Sequence, residues 1–197
     1  EFNTTTEPKV ILSDSNEGGT KSFELKLDLS TTDTKVSPII DLQRASVTTF
    51  ENIIDRQDSS ATNGFNVPLS IVQETNASGG THAAKHITVP VTLEEPAVGL
   101  KILLAANRPD AANFDVYFKT AAGDETLNDK PYVLVAKEAE LPADNDGTTF
   151  REYEYLAGGQ VGNLSPFTQF QVKVVMTSTN SSQIPRIRDL RTIAMVT

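Results

Sequence analysis

The chain has 197 residues, with 17 Lys and Arg against 26 Asp and Glu, a formal net charge of −9 and no cysteine. Its length fits one domain, or one domain with an arm, and its acidic balance argues against binding nucleic acid or an anionic membrane through net charge. The lack of cysteine excludes disulfides, thiolate metal sites and cysteine nucleophiles, and no apolar stretch approaches the roughly 18 residues of a membrane helix.

The first 20 residues are rich in Thr, Ser and Asn, and they predict an N-terminal arm or a linker. Residues 21–197 are then expected to form one domain. The chain begins at Glu1 rather than at an initiator Met, and it shows neither the basic nor the apolar region of a signal peptide. We therefore expect a fragment of a longer polypeptide.

Four segments alternate apolar and polar residues, which is typical of antiparallel strands with one face in a core. They are residues 22–29, 86–93, 114–119 and 170–176. In residues 86–93 the apolar face consists of Ile87, Val89, Val91 and Leu93. Pro90 has no backbone N–H to donate to a neighbouring strand, so we expect this strand at a sheet edge or at a bulge. Residues 170–176 are predicted to form a central strand, with Phe170, Val172, Val174 and Met176 facing the core.

Shorter β-branched or aromatic runs lie between turn residues along the rest of the chain. They are residues 8–12, 38–42, 45–50, 100–105, 132–136, 149–156 and 187–196. About ten short strands without helical periodicity predict an all-β fold, an antiparallel β-sandwich. The long connections at residues 56–67 and 76–85 suggest Greek-key crossings, so we expect a jelly roll of the galactose-binding type.

The two histidines, His82 and His86, are four residues apart. That spacing would align them on a helix, but this segment is predicted to be a loop entering a strand. No third ligand stands nearby, as a zinc site requires. The sequence therefore predicts an exposed loop histidine and an outward-facing strand histidine, without a zinc site.

Residues 144–147 carry the acidic turn Asp-Asn-Asp-Gly, which suggests part of a calcium loop. In the EF-hand frame the first and last ligand positions would fall on Pro142 and Tyr153, and neither supplies a carboxylate. A solvated turn is the simpler interpretation, and calcium held by irregular loops is left open. The sequence predicts no metal site and no cofactor.

Residues 152–155 alternate acids and tyrosines: Glu152, Tyr153, Glu154 and Tyr155. An exposed strand face explains the two acids as well as glycoside hydrolysis does, so no catalytic residue is assigned and an enzyme is not expected. Sugar sites often combine aromatic rings with carboxylates, which makes these four residues the candidate ligand-binding site. Packing between strands explains the tyrosines equally well.

Four of the five charged residues after position 170 are basic, and three of them are Arg186, Arg188 and Arg191. Guanidinium groups bind carboxylates with two parallel hydrogen bonds. These arginines are the candidate interface with another subunit, and pairing with the acidic body of the same chain is the equal alternative.

Several blocks of the sequence resemble virion structural proteins of contractile-tailed phages, of the marine cyanobacterial phage type. The blocks lie in order between residues 36 and 196: 36–42 with 51–54, 84–93, 100–109 with 114–119, 150–153, 170–180 and 185–194. They follow one another along most of the length of the predicted domain.

The resemblance implies a tail-, baseplate- or fibre-associated β-module within a longer polypeptide, with no catalytic residues to carry over. Its partners would be other virion subunits or copies of itself, and its location the virion, assembled in the host cytoplasm. An adhesion module that binds a host-surface glycan is the alternative, since jelly-roll sandwiches often bind sugars in loops at one end of the sheets.

Overall fold

A computed structural model of the chain describes residues 28–41, 52, 54–55, 72–159, 162–180 and 183–196. The chain separates into two units, Glu1–Thr49 and Phe50–Thr197. In the first unit, Asp33 organises a turn: its Oδ1 accepts the N–H of Lys35 at 2.9 Å and its carbonyl accepts that of Val36 at 3.2 Å. The predicted boundary between an arm of residues 1–20 and a domain of residues 21–197 lies outside the described residues and stays a prediction.

The described residues of the second unit form antiparallel strands and one short 3₁₀ helix, Leu127–Asp129. The strands are β1 (Lys85–Ile87), β2 (Val91–Ala97), β3 (Gly99–Asn107), β4 (Ala112–Ala121), β5 (Val133–Val135), β6 (Arg151–Gly158), β7 (Phe167–Ser178) and β8 (Arg186–Met195). These eight strands overlap every predicted strand from residue 86 onward, which confirms the all-β fold class. The strand predicted at residues 38–42 was wrong over the described residues 38–41, which form no strand.

The strands belong to two sheets that pack face to face. In the larger sheet, β7 lies between β4 on one side and β1 and β2 on the other, and β5 pairs with the far edge of β4. In the smaller sheet, β3 lies between β6 and β8. This arrangement confirms the antiparallel β-sandwich, whereas the jelly-roll topology and the total of about ten strands remain predictions.

The core lies between the two sheets because alternate residues of each strand point inward. The smaller sheet contributes Leu100, Ile102, Leu104, Tyr153 and Tyr155, and the larger sheet contributes Phe114, Val116, Phe118, Phe170, Val172 and Val174. Strand β7 is central, and its predicted inward face is confirmed. Met176, at the end of that face, is partly buried against the same core.

The strand predicted at residues 86–93 is split into β1 and β2, and most of its apolar face is outside the core. His86 lies opposite Val174 on β7, whereas Val91 lies opposite Phe170, so the register changes by one residue at Pro90. Pro90 thus occupies a bulge at a sheet edge, as its missing N–H predicted. The inward orientation was wrong for Ile87, which lies opposite Lys173 and is 37% exposed, and for Val89, which is 78% exposed. Val91 lies opposite the core residue Phe170 but is still 36% exposed.

Candidate functional site

The larger sheet carries a polar, aromatic surface on the side away from the core. Tyr117 and Lys119 of β4 lie opposite Lys173 and Gln171 of β7. All four side chains are buried, because residues 72–84, here called the covering loop, lie over them. This covered face holds the densest group of ionisable side chains that the described residues bring together.

Lys173 is at the centre of the covered face and is 0% exposed. Its Nζ donates to the carbonyl oxygen of Glu74 at 2.5 Å, to Glu74 Oε2 at 2.8 Å and to the carbonyl oxygen of Gly79 at 3.1 Å. The ammonium also lies 4.3 Å from the ring centroid of Tyr132 and 4.7 Å from that of Tyr117. All three N–H donors of the ammonium are used, and two aromatic faces stabilise its charge.

Glu74 is the counter-ion, and it is bound on both carboxylate oxygens. Its Oε1 accepts the backbone N–H of His82 at 2.9 Å and lies 3.0 Å from His82 Nδ1. A carboxylate only accepts hydrogen bonds, so Nδ1 carries the proton in this contact. Burial raises the pKa of Glu74, but the hydrogen bonds from His82 and Lys173 outweigh burial and lower that pKa to about 2.

Further contacts close the covering loop onto the sheet. Lys85 Nζ donates to the carbonyl oxygens of Gly79 and Gly80 at 2.9 and 2.6 Å. The backbone N–H of Tyr132 donates to the carbonyl oxygen of Thr75 at 2.9 Å. Gly80 has φ +75°, and a Cβ there would lie 2.1 Å from Glu74 Oε1. Glycine at this position therefore allows both the turn and the close approach of the carboxylate.

The arrangement fixes the loop and leaves little room for chemistry. Lys173 and Glu74 are both buried and use their hydrogen-bonding capacity on each other, on His82 and on the loop backbone. A nucleophile or a general base needs a free lone pair within reach of a substrate. The covered face instead has the character of a buried ion pair that holds one loop conformation.

Sequence reasoning missed this cluster because alternation assigned Lys173 and Gln171 to water. Val175 could have indicated the cluster, because its side chain is on the same side of β7 as that of Lys173. Val175 is buried in a small cluster with Tyr117 and Tyr132. An apolar residue on the polar side of a central strand indicates that both faces of the sheet are covered. Glu74 of the covering loop lies 99 residues before Lys173 in the chain.

The candidate ligand-binding residues on β6 do not form one site. Tyr153 and Tyr155 are each 1% exposed in the core, and the Tyr153 ring meets that of Phe114 edge-on at 4.8 Å. Glu152 and Glu154 lie on the opposite, exposed face of the strand. Strand alternation separates the rings from the carboxylates, so the two tyrosines are not available to stack on a sugar.

The two acids are paired with basic residues of the other two strands of the smaller sheet. Glu152 bonds to Arg191, which also lies 2.9 Å from Asp189 Oδ2, and Lys101 Nζ lies 2.5 Å from Glu154 Oε1. These contacts cross all three strands of the smaller sheet. They form an exposed ladder of ion pairs, whose contribution to stability is small.

All three candidate interface arginines are exposed and have partners in the same chain. Arg186 Nη1 donates to the carbonyl oxygen of Gly147 at 3.1 Å, and the Arg188 guanidinium lies 4.8 Å from the ring centroid of Phe150. Arg191 bonds to Glu152. Only Arg191 thus pairs with carboxylates of the same chain, as the alternative expected, and the role of the three arginines at an interface stays a prediction.

The acidic turn at residues 144–147 is held by protein donors. The Asp144 carboxylate accepts Nε and Nη2 of Arg151, each at 2.7 Å, and Asp146 accepts the backbone N–H groups of Thr148 and Thr149 at 3.0 and 2.9 Å. Among the described residues, no group of three or more His, Asp or Glu side chains is placed to hold a metal ion. Asp146 is exposed, as a solvated turn predicts, whereas Asp144 is buried against Arg151.

His86 lies exposed on β1, as predicted, whereas His82 is part of the covered face and is only 15% exposed. The expectation for His82 was wrong because the covering loop folds back onto the sheet. Within the ranges that the structure describes, no helix has the length and apolar character needed to cross a membrane.

Comparison with known proteins finds no match to a family model, to a curated protein or to a solved structure.

Proposed function

We propose that the chain is a structural module of a phage virion, associated with the tail, baseplate or a fibre, which acts by packing against other proteins. The sequence blocks between residues 36 and 196 resemble proteins of that kind. The observation that carries the proposal is the exposed apolar surface at both edges of the larger sheet. Val89 is 78% exposed at one edge, and Val133 and Leu134 are 50% and 53% exposed at the other.

Exposed apolar side chains along sheet edges favour contacts with other proteins, because edge strands have free backbone groups as well as apolar surface. The ionisable groups of the covered face are engaged in holding the covering loop. A rigid sandwich with open apolar edges suits a part that is built into a larger assembly. Contact with a host-surface glycan remains the alternative, and it would need residues other than Tyr153 and Tyr155.

The composition of purified particles tests the proposal. Quantitative mass spectrometry of the phage that encodes the chain should find it in a fixed copy number, and antibodies against it should label one place on the particle. A chain that is abundant in infected cells but absent from purified particles would contradict the structural role. Saturable binding of the isolated chain to one class of glycan, with or without calcium, would favour the adhesion alternative.

Variants of the edge residues provide a second test of the proposal. Leu134→Lys should reduce incorporation into particles, because it places a charge on an apolar contact surface. Asp124→Lys changes an exposed residue outside these edges and serves as the matched control. Equal incorporation of both variants would argue against β5 as a contact surface.

A further inference from the structure

The outer edge of β1 and β2 is open and apolar. Both strands pair with β7 on one side, and no strand in the described part of the chain pairs with their other side. His86, Ile87, Val89 and Val91 are all exposed there. Edge strands usually carry charges that prevent further pairing, yet the charged residues of this edge lie at its ends.

Hydrogen bonds to β7 determine which backbone groups of this edge face outward. Thr88 N–H donates to the carbonyl of Val172 at 2.9 Å, and Met176 N–H donates to that of Ala84 at 2.9 Å. Alternate residues of an antiparallel strand direct their backbone groups to opposite sides. The N–H and C=O groups of Lys85 and Ile87 therefore point away from β7.

The register change at Pro90 switches this alternation. Val91 lies opposite Phe170. Phe170 is two residues from Val172 on β7, so its backbone N–H and C=O groups also point toward this edge. The backbone groups of Val91 are then directed to β7 and those of Thr92 point outward, while the pairing of β2 with β7 is irregular between Thr92 and Ala97.

These outward groups make the edge complementary to itself. When two copies are placed antiparallel, with a two-fold axis between Val89 and Pro90, Lys85 of one copy faces Glu94 of the other and Ile87 faces Thr92. The Ile87–Thr92 pair joins two outward-directed residues and can exchange two backbone hydrogen bonds. Lys85 and Glu94 bring opposite charges together at both ends of the contact, and Val89 of each copy faces Pro90 of the other at its centre.

We propose that a second copy of this chain pairs with this edge and that the larger sheet continues across the two-fold axis. Such an isologous contact closes with two copies. Pro90 has no backbone N–H to donate at the axis, so the backbone hydrogen bonds between the two copies form on either side of it. Lys85 Nζ already donates to Gly79 and Gly80, and its remaining donor and its charge face Glu94 of the second copy. The inference goes beyond the proposed function, because pairing can be measured without any virion component.

Disulfide trapping tests the geometry directly, since the chain contains no cysteine of its own. Val89→Cys places one cysteine of each copy beside the axis, within the distance that a disulfide spans. We expect covalent dimers of this variant under mild oxidation. Leu134→Cys is the matched control, because it is exposed at the opposite edge of the same sheet, and it should form no covalent dimer. No dimer with Val89→Cys, or an equal yield from both variants, would overturn the proposal.

Sedimentation velocity tests the charge pairing. The unmodified chain should form a dimer whose population rises with concentration. Glu94→Lys places like charges opposite each other and should weaken the dimer about tenfold at low salt. Asp124→Lys makes the same charge change elsewhere and should leave association unaltered. A chain that is monomeric at all concentrations, or equal weakening by both variants, would contradict the proposed contact.

Discussion

Replacing Lys173 by Met removes the buried charge at the centre of the covered face while keeping a side chain of similar length. The Met side chain can still contact the rings of Tyr117 and Tyr132, between which the ammonium lies. The Glu74 carboxylate would keep its bonds to His82 but would lose the Nζ donor at 2.8 Å. The main consequence is a buried carboxylate without its counter-ion.

The expected loss in free energy of unfolding is about 3 kcal/mol. Removing one member of a buried ion pair costs about 3–5 kcal/mol, because the remaining charge stays desolvated. The lower end applies here, since His82 still donates to the carboxylate. Adding Glu74→Gln to the same chain removes that charge, so we expect the double variant to recover part of the loss.

Urea unfolding followed by circular dichroism gives the free energies, and hydrogen exchange of residues 72–84 reports on the covering loop. Lys101→Met is the matched control, because Lys101 pairs with Glu154 on the exposed face of the smaller sheet. It should cost less than about 1 kcal/mol. A loss below about 1 kcal/mol for Lys173→Met, or unchanged exchange in the loop, would refute the role of this ion pair.

Three further changes test other contacts. The pKa of Glu74 is about 2 in the folded chain against an ordinary value of 4.5, so about 3 kcal/mol of stability present above pH 4.5 should be lost as the pH falls toward 2, and urea midpoints of Glu74→Gln should vary less over this window. Tyr153→Phe removes a buried hydroxyl without a partner among the described residues and should leave stability unchanged or raise it by up to about 1 kcal/mol, whereas a clear fall in melting temperature would reveal a missed hydrogen bond. Gly80→Ala should cost about 1–3 kcal/mol, because φ is +75° and the Cβ would collide with Glu74, whereas Gly123→Ala, with an ordinary φ and its nearest contact at 3.6 Å, should change the urea midpoint little.

Alternation in the sequence predicted the sandwich well where one face of a strand is buried and the other is in water. Strands β3, β4, β6 and β8 overlap the predicted segments, and the inward face of β7 is confirmed. The period of two predicted β4 and β7, whereas β-branched or aromatic runs between turn residues predicted β3, β6 and β8. On β6 the same alternation correctly separated tyrosines from acids, but it did not show that the tyrosines are the core residues.

Prediction failed where contacts distant in sequence decide the outcome. Lys173 is buried by a loop that includes Glu74, and no local pattern predicts that the two meet. The bulge at Pro90 turns Val89 out of the core, although the flanking residues alternate without a break. A period-two pattern gives the faces of a strand, but the environment of each face depends on tertiary packing.

Cysteine labelling in the assembled particle tests most directly whether this chain acts through the edges of its larger sheet. Leu134→Cys, the only cysteine of that variant, should react readily with a maleimide in the isolated chain, where Leu134 is 53% exposed. If β5 packs against another virion protein, the same cysteine should be protected in intact particles and should react again after the particles are dissociated. Equal labelling in isolated chain and intact particle would contradict the account.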